Sequence, residues 1–270
     1  MPYGIRSAPI DAWRVFDDQN PDPGYFQFDW LSARHPDLYH EFALSTVGQM
    51  QELDKLVDLS GLIVADVGAG TGRSTVPAAR KARKVIAADT YRSVVTYGEK
   101  TVRAAGLDNV AYIVADGEHL PLEDNSVDAV LSAWAQLDFG EAYRVLVPNG
   151  YIIQLTSAPG SLCGELTATL QESYPELITE VAPQEYYDRS CPTSESIGAG
   201  TEWNGIPLVG PMKIHDFTYV AEYESVREAS EIFGRLYGPL AKKYLHDRQQ
   251  ATVASRLRIC YGKVKKQRSV

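Results

Sequence analysis

The residues best suited to chemistry stand at 66–72. There Asp66 is followed by glycine at every second position, Gly68, Gly70 and Gly72, with Ala69 and Thr71 between them. A short apolar run, Ile63-Val-Ala, leads into the acid, so a buried strand is expected to feed straight into a glycine-rich turn. Glycines let the backbone take positive φ and approach a ligand closely. The helix-like segment from Arg73 to Arg83 beyond the turn would begin with N–H groups that lack intrahelical partners. This is the arrangement of a nucleoside-cofactor site. Its spacing argues against a dinucleotide fingerprint, because G-x-G-x-x-G counted from Gly68 needs glycine where Arg73 stands. Similar apolar runs end in Asp89, followed by Thr90, and in Asp116, followed by Gly117. A carboxylate can accept from a diol or an exocyclic amine, although any one of these aspartates alone could be a strand-end cap or turn residue. A fourth run closes on Ser132, Ala133 and Trp134.

These positions need a scaffold that brings strand ends together, and the pattern supplies one. Strands are expected at 61–66, 84–89, 110–115, 127–132 and 151–156, with helices at 73–83, 91–105 and about 138–147. Short, continuously apolar strands that alternate with helices argue for a parallel sheet covered on both faces. Ligands of such sheets bind at the carboxyl ends of the strands, where Trp134 and Gln136 would also lie. Ahead of this core, residues 1–30 read as an irregular arm. From Leu31 to Leu59, the positions Leu38, Phe42, Val47, Met50, Leu53, Leu56 and Val57 recur at helical steps. After it, residues 158–212 break the rhythm, with Cys191–Gly210 reading as loop. A strand over 213–223, a long helix over about 225–248 and a strand over 256–264 follow. The chain therefore divides into an arm and cap helices (1–60), a cofactor-binding core (61–157), an insert or lid (158–212) and a closing strand–helix–strand (213–270).

Composition narrows the class. The chain has 270 residues, 44% of them apolar, enough for one large α/β domain or a core with an inserted lid. A net charge of −9 argues against non-specific nucleic-acid binding, which needs a basic footprint. Cys163, Cys191 and Cys260 are few, odd in number and far apart, which suggests a reducing compartment. No Cys/His spacing suggests a metal site. With no run near the length of a membrane span and no secretory pattern over Met1–Arg14, the expected location is cytoplasmic.

The acid-x-Gly-x-Gly-x-Gly pattern resembles the first motif of the class I S-adenosylmethionine-dependent methyltransferases. The likeness continues through Asp89, Asp116-Gly117, the strand Asn125–Ser132 and the segment Glu141–Tyr151, with motifs in family order across 62–156. The small-molecule enzymes of the ubiquinone and menaquinone biosynthesis type look most similar. The resemblance implies an α/β, Rossmann-like seven-stranded sheet with helices on both faces and its last strand antiparallel, plus an N-terminal cap and an inserted lid. It implies S-adenosylmethionine as cofactor and methyl transfer to a small-molecule acceptor. Asp66 would bind toward the methionyl ammonium. The backbone of Gly68, Ala69, Gly70, Thr71 and Gly72 would contact the methionine and ribose parts. Asp89 with Thr90 would take the ribose hydroxyls, and Asp116 with Gly117 the adenine. Ser132, Ala133 and Trp134 would complete the methionine end. The connection Ala133–Gly140 is shorter than is usual in the family, so the acceptor pocket is expected to draw on residues 1–40 and 158–212. For an acceptor that needs a base, His35, Tyr39 and His40 are the candidates, each of which could equally be structural. Tyr186, Tyr187 and Trp203 could shape a lid or fasten the insert down. Two other readings compete: a cofactor-binding regulatory or scaffold protein without transfer, and a nicotinamide-dependent oxidoreductase. Ser132-Ala-Trp-Ala stands where a nucleic-acid base methyltransferase would carry its Asn/Asp-Pro-Pro-Tyr/Phe signature.

Overall fold

A computed structural model describes residues 35–43, 46–158, 201–237 and 239–266. Five strands form the parallel part of the sheet: β1 (Ile63–Val67), β2 (Lys84–Asp89), β3 (Val110–Val114), β4 (Val127–Ala133) and β5 (Leu146–Ser157). The hairpin strands β6 (Glu202–Trp203) and β7 (Ile206–Pro207) follow, then β8 (Lys213–Glu222) and β9 (Thr252–Lys263). The seven-stranded sheet has the order β3-β2-β1-β4-β5-β9-β8, and β6-β7 stand apart. Asn149 N–H donates to Val264 O, whereas Ala158 N–H donates to Arg256 O, so β9 runs antiparallel to β5. The helices are α1 (Pro36–Ala43), α2 (Gly48–Leu56), α3 (Thr75–Ala79), α4 (Arg92–Ala104), α5 (Phe139–Val145), α6 (Val226–Tyr237) and α7 (Pro239–Asp247).

The expected seven-stranded α/β architecture is present. The chain packs as two compact units. The described part of one is 47–156, 201–216 and 258–266, and it holds the parallel strands. The described part of the other is 35–43, 46, 157–158, 217–237 and 239–257. In the first unit Val64, Val85, Val127, Ala129, Val130, Leu131, Ile152 and Ile153 are fully buried, as expected for strands covered on both faces. In the second, Phe42 of α1 and Tyr223 meet Phe233 of α6 edge-to-face, at centroid distances of 6.2 and 5.6 Å.

Several boundaries differ from the sequence reading, each for a local reason. The helical spacing over 31–59 resolves into α1 and α2, and the Thr46 hydroxyl donates to Ala43 O at 3.0 Å, taking a carbonyl at the end of α1. The helix after the glycines is only Thr75–Ala79, with Pro77 inside it. The long helix over 225–248 is two, because Pro239 opens α7 and has no N–H to continue α6. β5 starts at Leu146 rather than Tyr151: Leu146 pairs with Val127 and Tyr151 with Ala129, so Val147–Gly150 forms a bulge inside the strand. Part of the stretch expected as loop is a hairpin. Asn204 and Gly205, at φ of +48° and +78°, make the two-residue turn that joins Trp203 to Ile206.

Candidate active site

The glycine turn holds its backbone in a conformation that side chains disfavour, and at Gly68 it leaves no room for one. Gly68, Gly70 and Gly72 have φ of +70°, +58° and +102°. A Cβ on Gly68 would lie 2.1 Å from Ala135 Cβ. The turn is also tied to β2: Gly68 and Ala69 N–H donate to Ala88 O at 2.9 and 3.0 Å, and Gly70 N–H to Asp89 Oδ2 at 3.0 Å. The other Asp89 oxygen accepts from Tyr91 N–H at 3.1 Å. Beneath the turn, Tyr112 of β3 reaches Thr75 Oγ1 at 3.2 Å and Gly70 O at 3.4 Å. It can cross there because Gly98 of α4 has no side chain, and a Cβ on Gly98 would come within 2.3 Å of the Tyr112 ring. Burial pushes the Tyr112 hydroxyl well above its usual range, so it stays a neutral donor.

Asp66 is fully buried at the strand end. Its Oδ2 accepts hydroxyl hydrogens from Thr75 at 2.6 Å and Ser74 at 2.8 Å, while Oδ1 is buried with no hydrogen-bond partner. Burial pushes the carboxyl up to about 6, against the opposing pull of the two hydroxyls and Arg73. An orphaned carboxylate oxygen is costly to keep and calls for a cationic or N–H partner.

Residues 133–135 close the site from β4. Ala133 O accepts from Arg73 Nη2 at 3.1 Å, and Ser132 Oγ donates to Ala135 O at 3.0 Å. Trp134 has φ of +63°. Its indole Nε1–H donates to Gln49 Oε1 at 2.7 Å, and the Arg73 guanidinium lies 5.7 Å from its ring centroid. Asp116 is exposed after β3, and its Oδ1 accepts from Glu118 N–H at 3.0 Å.

Residues 65–154 match a family described as methyltransferase domain. These residues of the chain form a methyltransferase domain. An uncharacterized protein of Mycobacterium tuberculosis is 24% identical over 204 residues, 73% of this chain and 72% of that protein. A malonyl-acyl-carrier-protein O-methyltransferase of a Marinomonas strain is 34% identical over 147 residues, 50% of this chain and 52% of that enzyme. A solved chain from the Haloferax volcanii complex that contains the Trm112 methyltransferase activator shares the fold. Its TM-score is 0.52 at 16% identity, over 89% of this chain and 99% of that one.

In this chain Asp66, Gly68 to Gly72, Asp89, Thr90, Asp116, Gly117 and Ser132 to Trp134 all fall within one unit, at or just past the carboxyl ends of β1 to β4. The Ser132 hydroxyl is spent on Ala135 O, so in this geometry its side chain serves the turn. His35, Tyr39 and His40 lie at and on α1, in the other unit. Trp203 is 3% exposed and packs edge-to-face on Phe139 at 5.1 Å, so it fastens the hairpin rather than shaping a lid. Tyr186 and Tyr187 lie outside the described residues, as do most of 1–40 and 158–212. Among the described residues Asp116, Glu118 and His119 form an exposed cluster with metal-compatible spacing, and no helix is long and apolar enough to cross a membrane.

Two residues at the site carried no functional reading in the sequence. Gln49 is 1% exposed on the stripe that includes Leu53 one turn later, and an amide among apolar helical positions was the signal. Tyr112 stands out as the aromatic residue in the strand Val110–Val114, and Gly98 in mid-helix marked the close approach it needs.

Proposed function

We propose that this enzyme transfers the methyl group of S-adenosylmethionine to a small-molecule acceptor, chiefly by positioning the reactants and excluding water. The buried, orphaned Asp66 Oδ1 beside a glycine turn whose three glycines all have positive φ carries the reading, because that pair fits an ammonium group lying on bare backbone. In this assignment Asp66 takes the methionyl ammonium, the backbone of Gly68–Gly72 lies against the methionine and ribose parts, and Ser132–Trp134 border the methionine end. Asp89 with Thr90 holds the ribose hydroxyls, and Asp116 with Gly117 the adenine edge. When bound, the cofactor supplies a methyl group on a sulfonium that is already electrophilic. The protein then has to hold the acceptor in line behind it, about 3 Å away, and keep water out. Where an acceptor must lose a proton, His35, Tyr39 and His40 are the first groups to test as base. The Marinomonas relative is named for a malonyl group on an acyl-carrier protein, so a carboxyl group belongs among the acceptors to test.

Calorimetry with S-adenosylmethionine, S-adenosylhomocysteine and NAD, followed by a turnover screen of small acids and phenols, tests the assignment. Dissociation constants on the order of micromolar for the two adenosyl ligands, with none for NAD, are expected. NAD binding in their place would favour an oxidoreductase. Adenosyl binding with no turnover on any acceptor would favour a regulatory or scaffold role.

A further inference from the structure

Among the described non-glycine residues with positive φ, three are asparagines, one is Gln249 and one is Trp134. Asparagine tolerates that region, but a bulky aromatic residue occupies it at a penalty of roughly 1–2 kcal/mol. Such strain persists only where the surroundings over-determine it. Here they do. Trp134 N–H donates to Leu155 O at 2.9 Å and its indole N–H to Gln49 Oε1 at 2.7 Å. Gln49 is in turn committed on every side. Its Nε2 donates to Thr156 O at 2.7 Å and to Arg258 O at 3.3 Å, bridging β5 and β9. Two carbonyls demand the amide nitrogen and one indole N–H demands the oxygen, so the amide can face only one way. The clamp holds a particular place. Ala135 presses on Gly68 and Ala133 O takes Arg73, so the segment is stapled to the glycine turn on both sides of the strained residue.

We propose that Gln49 is a positioning residue for methyl transfer: it locks Trp134 in its left-handed backbone, and the indole then forms one wall of the space where the acceptor meets the cofactor. The proposal rests on the placement of the cofactor given above.

The test is a double-mutant cycle read by S-adenosylhomocysteine binding and by the indole resonance of Trp134 in 15N-tryptophan-labelled protein, assigned through Trp134→Phe. In the wild type, the Trp134 indole N–H should exchange slowly and shift when the product binds. Gln49→Met keeps the volume and removes the clamp, so the indole should exchange freely and affinity should fall about tenfold. In a Trp134→Gly background, where the left-handed backbone carries no penalty, the same Gln49→Met change should move affinity by less than about twofold. An equal loss in both backgrounds would make Gln49 a plain staple between β5 and β9 and overturn the proposal. So would unchanged affinity in Gln49→Met. If Gln49→Met does not fold, Trp134→Phe, which keeps a ring and deletes only the indole donor, must lower affinity severalfold for the proposal to stand. A wild type that binds no S-adenosylhomocysteine would overturn the cofactor placement, and with it the proposal.

Discussion

The two ends of the parallel sheet are built from the same strands and treat polar groups in opposite ways. At the amino end of β4 and β5 the cations Arg144 and Lys266 are matched to acceptors. Arg144 donates to Leu120 O, Leu122 O, Asp124 and both Glu141 oxygens, at 2.7 to 3.1 Å. Lys266 Nζ serves Asn125 Oδ1, Arg144 O and Leu146 O, and Asp128 accepts from Ile63 N–H. The Arg144 guanidinium beside Glu141 holds that carboxyl below its usual range. At the carboxyl end Asp66 keeps a bare oxygen, burial raises its carboxyl, Trp134 is strained and Gly68 excludes even a methyl group. Satisfied networks hold a fold together, whereas uncompensated groups are kept where a ligand completes them. On the site assignment proposed above, the difference between the two ends separates what stabilises the chain from what binds the cofactor.

The largest expected effect comes from filling the cradle. Gly68→Val meets Ala135 at 2.1 Å and forces a β-branched residue to φ of +70°. Gly61 has a similar φ of +74° with nothing within 4 Å of its would-be Cβ, so Gly61→Val carries the backbone strain without the clash. Gly68→Val should abolish S-adenosylhomocysteine binding in calorimetry. Gly61→Val should only lower the melting temperature. Equal binding in the two variants would show that the close approach at Gly68 has no part in the site.

Next in size is Asp66. Its carboxyl titrates near 6 in the fold against an ordinary value of 3.8. A raised folded value means that the group favours the unliganded fold below pH ~4 and that this contribution is lost as pH rises through about 6. Cofactor affinity should move the other way, because the ammonium needs the ionised carboxylate. Affinity should therefore fall toward tenfold per pH unit below the inflection. Asp66→Asn keeps the shape and the acceptor for Thr75 and Ser74. It should reduce the slope of stability between pH 4 and 6, seen by thermal melts, and lower product affinity at pH 7.5 by about tenfold or more. Arg73, Asp89 and Tyr112 face the group and must be intact in the comparison.

How much of this could be read in the chain follows the same division. The glycine turn and the aspartates at 66, 89 and 116 were legible because backbone geometry at a strand-to-helix turn restricts residue type locally. That the sheet is parallel followed from the alternation of short apolar strands with helices. What escaped is long-range. Gln49 meets Trp134 across 85 positions and Arg258 across 209, and no local period encodes such a pairing. The φ of Trp134 could not be read from Ser-Ala-Trp-Ala, because tertiary contacts impose it. The hairpin at 202–207 was a missed local signal, Asn204-Gly205 between apolar residues, hidden in a stretch rich in other turn formers. The bulge in β5 was hidden for a similar reason, since Pro148-Asn-Gly reads as a turn until β9 supplies partners for it.

A smaller effect is expected at Asp89. Its carboxylate ties Gly70 N–H to the end of β2 and is assigned to the ribose, so Asp89→Ala removes a charge-assisted acceptor from both. Product affinity should weaken by ~1–3 kcal/mol. Adenosine, which carries the ribose without the methionine part, should lose binding in this variant and keep it in Asp66→Asn. A loss of the same size for adenosine in both variants would break the division of labour between the two strand ends.

The smallest expected effect on binding sharpens the comparison most, because it is a null at the other end of the sheet. Arg144→Ala strips donors from two backbone carbonyls, Glu141 and Asp124, and should destabilise the fold by about 1–2 kcal/mol. The surface pair with Asp124 should contribute little of that, because Asp124 is 70% exposed and water competes for it. The backbone carbonyls should contribute most, so Arg144→Lys, which keeps the charge and loses the fork, should recover only part of the stability. S-adenosylhomocysteine affinity measured below the melting range should stay within about twofold of wild type in both variants, because the hydrogen-bond partners of Arg144 all lie outside the glycine turn and residues 133–135. A drop in affinity comparable to that of Asp89→Ala would mean that the two ends are coupled through β4. The satisfied network would then have to be counted as part of the site.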